Sequence, residues 1–195
     1  MAFSKLMMLR ENYGSIFNRT LSIIGGISSD ISKTILRFVD ESKIQVISSI
    51  SSAVSLNNKD NFCRTIPDDS AQAQVMISIL QKMNWTCAIG LYASGEYGTN
   101  GDQVLRKLTA KNNIKYSSQA IDDLDITKVN NFVENSQTDV VLIFSDLKKV
   151  KNYFSNLNTF NSKSKKVYIM GDSWVCNFKS CLIFCSFSNC RVQIC

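Results

Sequence analysis

The chain of 195 residues contains no histidine. That absence removes Ser-His and Cys-His nucleophile pairs and every zinc site that needs imidazole, and many enzyme classes go with them. Seven cysteines are present, yet no two are spaced as Cys-x-x-Cys, which argues against a four-cysteine zinc site. No apolar run reaches about 18 residues, so no segment is long enough to span a membrane as a helix. The start, MAFSKLMMLREN, has too short an apolar stretch before Arg10 for a signal-peptide core, and the expectation is a chain with neither secretion signal nor anchor. Proline occurs once, at Pro67, and no internal repeat or low-complexity linker is seen.

What is present is ordinary for a globular α/β protein: 45% hydrophobic residues and a net charge of +6. The lysines are spread out. The densest groups, Lys148, Lys149 and Lys151, then Lys163, Lys165 and Lys166, read as solvated surface, without the aromatic interleaving of a single-strand binding groove. No nucleic-acid partner is implied. Five cysteines, Cys176, Cys181, Cys185, Cys190 and Cys195, crowd the last twenty residues. They read as a disulfide cluster or a tail without function, and the odd total leaves at least one thiol free or paired between chains in an oxidising setting.

Strand and helix patterns alternate along the chain. Leu21 to Ile24 is a short strand running into Gly25, Gly26, Ser28 and Ser29, and Ile31, Ile35, Phe38 and Val39 then recur at helical spacing. A serine turn at a helix start can hold a carboxylate or phosphate, or Ser28 or Ser29 can simply cap the helix. Ile44 to Ser49 is the next strand, followed by a serine-rich loop, a turn over Asn57 to Asp60 and a short strand over Phe62 to Ile66. Asp68, Asp69 and Ser70 start a helix with Val75, Met76, Ile79, Leu80 and Met83 on one face, ended by Asn84 and Trp85. Thr86 to Tyr92 is a buried strand, and Gly95, Gly98 and Gly101 form a turn opening a helix over Asn100 to Lys111. That is where open α/β sheets place ligands.

Lys115 to Ala120 is a weaker strand, and Asp122 to Asp125 is an acidic loop whose aspartates read as capping and solvation. Thr127 to Ser136 is a helix with Val129, Phe132 and Val133 inward. Asp139 to Phe144 is the clearest buried strand, Asp146 to Phe160 a helix and Val167 to Gly171 a last strand. This alternation predicts parallel sheets flanked by helices.

Six segments carry a family resemblance: GGISSD at Gly25–Asp30, IQVISSISSAVSLNNK at Ile44–Lys59, RTIPDDSAQAQVM at Arg64–Met76, NWT at Asn84–Thr86, GEYGTNG at Gly95–Gly101 and GDSW at Gly171–Trp174. In order and spacing they resemble the extracellular ligand-binding domain of class C G-protein-coupled receptors, the metabotropic glutamate and calcium-sensing receptor group. The resemblance implies a bilobed fold of the periplasmic binding protein type I kind, with residues 20–67 in lobe one and 68–174 in lobe two. It implies no enzymatic activity and no cofactor, a small-molecule ligand that is an amino acid, glutamate-like or related and sensed by lobe closure, and a place on the extracellular side of the plasma membrane for the full-length receptor. Full-length relatives dimerise and couple to G proteins through membrane helices.

Residue by residue, the resemblance matches Ser29 to the serine that holds the ligand α-carboxylate and Ser52 to a residue helping to hold the α-amino group. Asp69 matches an aspartate near that group, Tyr97 the tyrosine over the ligand, and Asp172 the acid reaching the amino group from the second lobe. Taken singly, Asp69 reads as a helix cap, Tyr97 as turn packing and Asp172 as a strand-end turn residue. Gly26 and Gln45 depart from the family, many of whose members carry proline there. The motifs begin midway through the family's first lobe and stop after Trp174. The reading is an incomplete receptor ectodomain, with residues 175–195 a truncated or mis-spliced tail.

Two alternatives accompany that reading. One is a soluble periplasmic-type amino-acid carrier. The other is a nucleotide-dependent enzyme cradling phosphates at Gly95 to Gly101, although the spacing there is G-x-x-G-x-x-G and not G-x-G-x-x-G. Asn84-Trp85-Thr86 and Asn18-Arg19-Thr20 are N-glycosylation sequons for a chain in the secretory pathway.

Overall fold

The computed structural model describes residues 8, 11–12, 18–39, 44–121, 126–157 and 166–171, together with the backbone of 183–186 and 193–194. The chain divides into two units, Met1–Asp69 and Ser70–Cys195. In the first, β1 (Ser22–Ile24), α1 (Ser29–Val39), β2 (Gln45–Ser48) and β3 (Phe62–Arg64) build a three-stranded sheet in the order β1-β2-β3. Both pairings are parallel. Its core gathers Ile35, Leu36 and Val39 of α1 with Ile44, Val46, Ala53 and Leu56.

The second unit continues from α2 (Asp69–Lys82) through β4 (Cys87–Ala93), α3 (Glu96–Lys111), β5 (Lys115–Ile121), α4 (Ile126–Glu134), β6 (Val140–Phe144), α5 (Leu147–Leu157) and β7 (Val167–Met170). Strand order is β5-β4-β6-β7, extended by β8 (Ile183–Ser186) and β9 (Gln193–Ile194). The pairings from β5 to β7 are parallel, whereas β8 and β9 join antiparallel.

Alternation along β6 divides the core in two. Val141 and Ile143 pack with Val129 and Val133 of α4 and Val150 and Tyr153 of α5. Val140, Leu142 and Phe144 pack on the other face with Met76 and Leu80 of α2 and Leu105 of α3. A central parallel strand covered on both faces must be apolar throughout, as DVVLIF announced. β5 lies at the sheet's edge and alternates between exposed and half-buried over its first four residues.

Several expectations are corrected. The buried stripe of α2 is Ala73, Met76, Ile77 and Leu80, while Val75 and Met83 are exposed. The helix carries apolar residues around most of its circumference, so its pattern alone did not select the stripe that meets the sheet.

Only Gly95 of the glycine-rich segment precedes α3, and Gly98 and Gly101 lie inside the helix. They allow a close approach. A Cβ at Gly98 would stand 2.2 Å from the Ala93 carbonyl oxygen, and one at Gly101 2.2 Å from the Phe144 ring.

Lys166 is 3% exposed, not solvated. Its ammonium donates to the Thr138 carbonyl at 2.7 Å and the Ser136 hydroxyl at 3.0 Å, pinning the start of β7 to the loop before β6. Lys163, Lys165 and the acidic stretch Asp122 to Asp125 lie outside the described residues.

Candidate ligand-binding site

In the first unit all three strands point their carboxyl ends the same way, and the candidate residues follow those ends. Gly25 to Ser29 follows β1, Ser49 to Ala53 follows β2, and Thr65 to Asp69 follows β3. Ligands of open α/β sheets bind outside such ends. Ser29, Ser52 and Asp69 are all buried there.

Hydrogen bonds tie the three segments together. The Ser29 hydroxyl accepts the Ala53 amide at 3.1 Å, which leaves its own O–H as a donor. The Ser52 carbonyl accepts the Asp69 amide at 2.9 Å. Asp69 is also the first residue of α2, where the helix dipole favours a carboxylate. A hydroxyl at the amino end of α1 and a carboxylate at that of α2 thus border one loop. The first suits an anion and the second a cation.

Residues that sequence reasoning missed support this loop. Ser51 Oγ lies 2.8 Å from Ser32 Oγ, and Ser48 Oγ donates to Ser51 Oγ at 3.0 Å. Ser48 Oγ also lies 3.1 Å from the Gly26 carbonyl, a second acceptor within reach of its one proton, and it accepts the Ser51 amide at 3.1 Å. Buried loop backbone needs such partners. Gly26 has φ +88°, and a Cβ there would meet Ser32 Oγ at 2.0 Å. Proline, fixed near −65°, cannot adopt that conformation, so the departure from the family at this position has a backbone cause. At Gln45 the amide donates to the Leu21 carbonyl at 3.0 Å, a bond proline would forfeit.

Tyr97 belongs to the second unit, in the first turn of α3 and not in a loop. Its ring packs at 5.6 Å on Phe144 and its hydroxyl donates to Gln72 Oε1 at 3.3 Å. A Cβ at Gly171 would stand 2.6 Å from the same hydroxyl, so Tyr97 lies beside the carboxyl end of β7. Asp172, the next residue, lies outside the described residues. Farther along α3, Asp102 accepts from Arg106 at 2.8 Å and from the Tyr116 hydroxyl at 2.9 Å. The bond from Asp102 raises the Arg106 pKa. Burial, then the Asp102 charge, push the Tyr116 phenol above its usual range.

Asn84 and Asn18 of the two sequons are exposed, and Asn84 adopts φ 57° at the end of α2. Cys63 is free and exposed, and Cys87 is free and half-buried. Among the described residues no group of three acidic or sulfur ligands could hold a metal, and no helix is long and apolar enough to cross a membrane.

Parallel sheets flanked by helices, with polar groups collected at strand carboxyl ends, define a periplasmic-binding-protein-like ligand-binding domain. Residues 2–184 match the model of the receptor family ligand binding region, and the chain belongs to that family. The match begins before and runs past the segments that carry the resemblance.

The relatives are class C receptors. A G-protein coupled receptor family C group 6 member A of Carassius auratus is 28% identical over 168 residues, 79% of this chain and 19% of the relative. The extracellular calcium-sensing receptor of Sus scrofa is 26% identical over 163 residues, 80% of this chain and 15% of the relative. A metabotropic glutamate receptor of Drosophila melanogaster is 25% identical over 175 residues, 85% of this chain and 18% of the relative. The chain thus spans less than one fifth of each relative's length. These relatives are receptors, not enzymes, and the phosphate-cradle alternative also loses its geometry, because Gly98 is pressed onto Ala93 inside a helix.

Proposed function

We propose that this chain is an amino-acid-binding part of a class C receptor ectodomain, with the first unit recognising the ligand's backbone groups. One juxtaposition supports the reading: Ser29 and Asp69, at two helix starts, and Ser52, in a loop, border the carboxyl ends of three adjacent parallel strands. A zwitterion needs donors for its carboxylate and an acceptor for its ammonium. The Ser29 hydroxyl with the amino end of α1 supplies the first, and Asp69 the second, assisted by Ser52. Tyr97 and Asp172 are assigned to the ligand from the second unit on the resemblance alone. The relatives' names, a G-protein coupled receptor and an extracellular sensor, extend the proposal to the outer face of the plasma membrane and to output through a G protein.

The direct test titrates the isotope-labelled chain with L-alanine and with L-alaninamide, which lacks the carboxylate, following backbone amide resonances. L-alanine should shift Ser29, Ser52 and Ala53, and Ser29→Ala should weaken it about tenfold, the loss of one charge-assisted contact. Equal binding of the amide, or full affinity in Ser29→Ala, removes Ser29 as the carboxylate contact.

A further inference from the structure

We infer that Arg64 is a positioning residue for ligand binding, a clamp on the loop carrying Ser52 that sets the spacing of Ser29, Ser52 and Asp69. The inference rests on the reading of those three residues as ligand contacts. Arg64 ends β3, and its guanidinium reaches back to the loop after β2. Nη1 donates to the Ser51 carbonyl at 3.2 Å and to the Ala53 carbonyl at 3.3 Å. These two carbonyls flank Ser52. The carbonyl between them, that of Ser52, accepts the Asp69 amide. Three consecutive carbonyls are therefore fixed by β3 and its continuation, two by one side chain and one by a backbone amide.

The other side of the loop is tied to α1, where the Ala53 amide donates to Ser29 Oγ at 3.1 Å. A shift of Ser51 to Ala53 would therefore displace Ser52 and the partner of Ser29 together. The guanidinium is itself held in place. Nη2 donates to Asn57 Oδ1, Asn57 Nδ2 donates to Asp68 Oδ2 at 2.5 Å, and the Phe62 ring lies 5.4 Å away. Asp68 immediately precedes Asp69, so the same chain of bonds returns to the third candidate residue. A rigid, planar fork of N–H donors suits this arrangement. An ammonium on a flexible stem can satisfy only part of it. Contacts to a small zwitterion are lost when their supports loosen by about 1 Å, which is how a residue outside the site can set affinity.

The test compares the 195-residue chain with Arg64→Gln and Arg64→Lys by amide hydrogen exchange and by L-alanine titration. Arg64→Gln should speed exchange at Ala53 and Asp69 about tenfold while Leu36 and Val46 in the same unit keep their rates. It should weaken L-alanine about tenfold, and Arg64→Lys should recover part of both losses. Should Arg64→Gln fail to fold, Arg64→Lys supplies the comparison at smaller amplitude. Unchanged exchange at Ala53 and Asp69 overturns the clamp. Uniform acceleration that includes Leu36 and Val46 overturns it in favour of general stabilisation. A loosened loop with full L-alanine affinity overturns its role in binding. If the wild-type chain binds no L-alanine, the reading of the site fails and the ligand role of Arg64 falls with it, while the exchange rates still report whether the clamp exists.

Discussion

In the second unit β6 buries all five of its residues between two helical layers, whereas in the first Leu21 before β1 and Ile24 at its end are 85% and 83% exposed. The same strand-helix alternation is therefore held by different means. The larger sheet relies on apolar side chains packed on both faces. The smaller one has, among the described residues, a single apolar cluster, and hydroxyls and a guanidinium secure its loops. Burying loop backbone at strand ends obliges the chain to supply polar partners there. The lesson is that the candidate site lies where the fold is held by hydrogen bonds, and such bonds are individually modest and easily disturbed.

The largest effect should come from the apolar region. Leu142, fully buried in the middle of β6, packs with the α2 and α3 side of the core. Leu142→Ala should cost about 2–5 kcal/mol, the sum of lost transfer energy and a residual cavity. Chemical denaturation followed by exchange at β4, β6 and β7 amides reads it. A cost below about 1 kcal/mol would mean that β6 is not the packed centre of its sheet.

Gly98 and Gly26 differ in what an added methyl would meet. At Gly98 an added methyl meets backbone, the Ala93 carbonyl oxygen at 2.2 Å and the Ala93 nitrogen at 2.6 Å. The helix must then lift from the sheet, at about 1–3 kcal/mol. At Gly26 the nearest obstacle is a side-chain atom, the Ser32 hydroxyl, which can turn away only by giving up its bond to Ser51 Oγ, and the positive φ adds about 1–2 kcal/mol. Gly98→Ala should therefore destabilise more than Gly26→Ala in thermal melts. The reverse order would break the claim that close packing, more than loop conformation, governs the second unit.

How far the sequence disclosed this depends on the range of the interaction. β6 was legible because DVVLIF is an uninterrupted apolar run of strand length, and α1 because a serine turn precedes apolar residues at helical spacing. Ser29, Ser52 and Asp69 were singled out from motifs, and the structure brings their loops together. The glycines of GEYGTNG misled because glycine normally signals a turn. Their use in close packing is set by Ala93 and by Phe144, more than forty positions downstream of Gly101. Lys166 misled because charge normally signals solvent, and its acceptors belong to a distant loop. Ser48, Ser51 and Arg64 lie within the resembling segments and Ser32 just beyond one, yet none was given a role, since each is an ordinary polar residue until three strand ends converge on it.

The smallest effect is one of pH, and it should fall on the second unit, which holds two phenols shifted by burial. Tyr116 and Tyr153 are both pushed above the usual phenol range, chiefly by burial, with the Asp102 charge adding to the effect at Tyr116. In the folded chain both therefore keep their protons when the unfolded chain, with phenols near about 10, would release them. Their contribution is fully present below about pH 10 and is lost as pH rises through that value toward the folded pKa. One unit above the unfolded pKa the loss is about 1.4 kcal/mol per tyrosine. Denaturation midpoints between pH 8 and 11 should thus fall steeply only at the alkaline end, and Tyr116→Phe with Tyr153→Phe should flatten that fall. Tyr116→Phe also removes the bond to Asp102, so it should lower stability at pH 8 while reducing the slope above pH 10. An unaltered alkaline slope in the double variant would show that other groups carry the titration, and the contrast between the units would lose its electrostatic part.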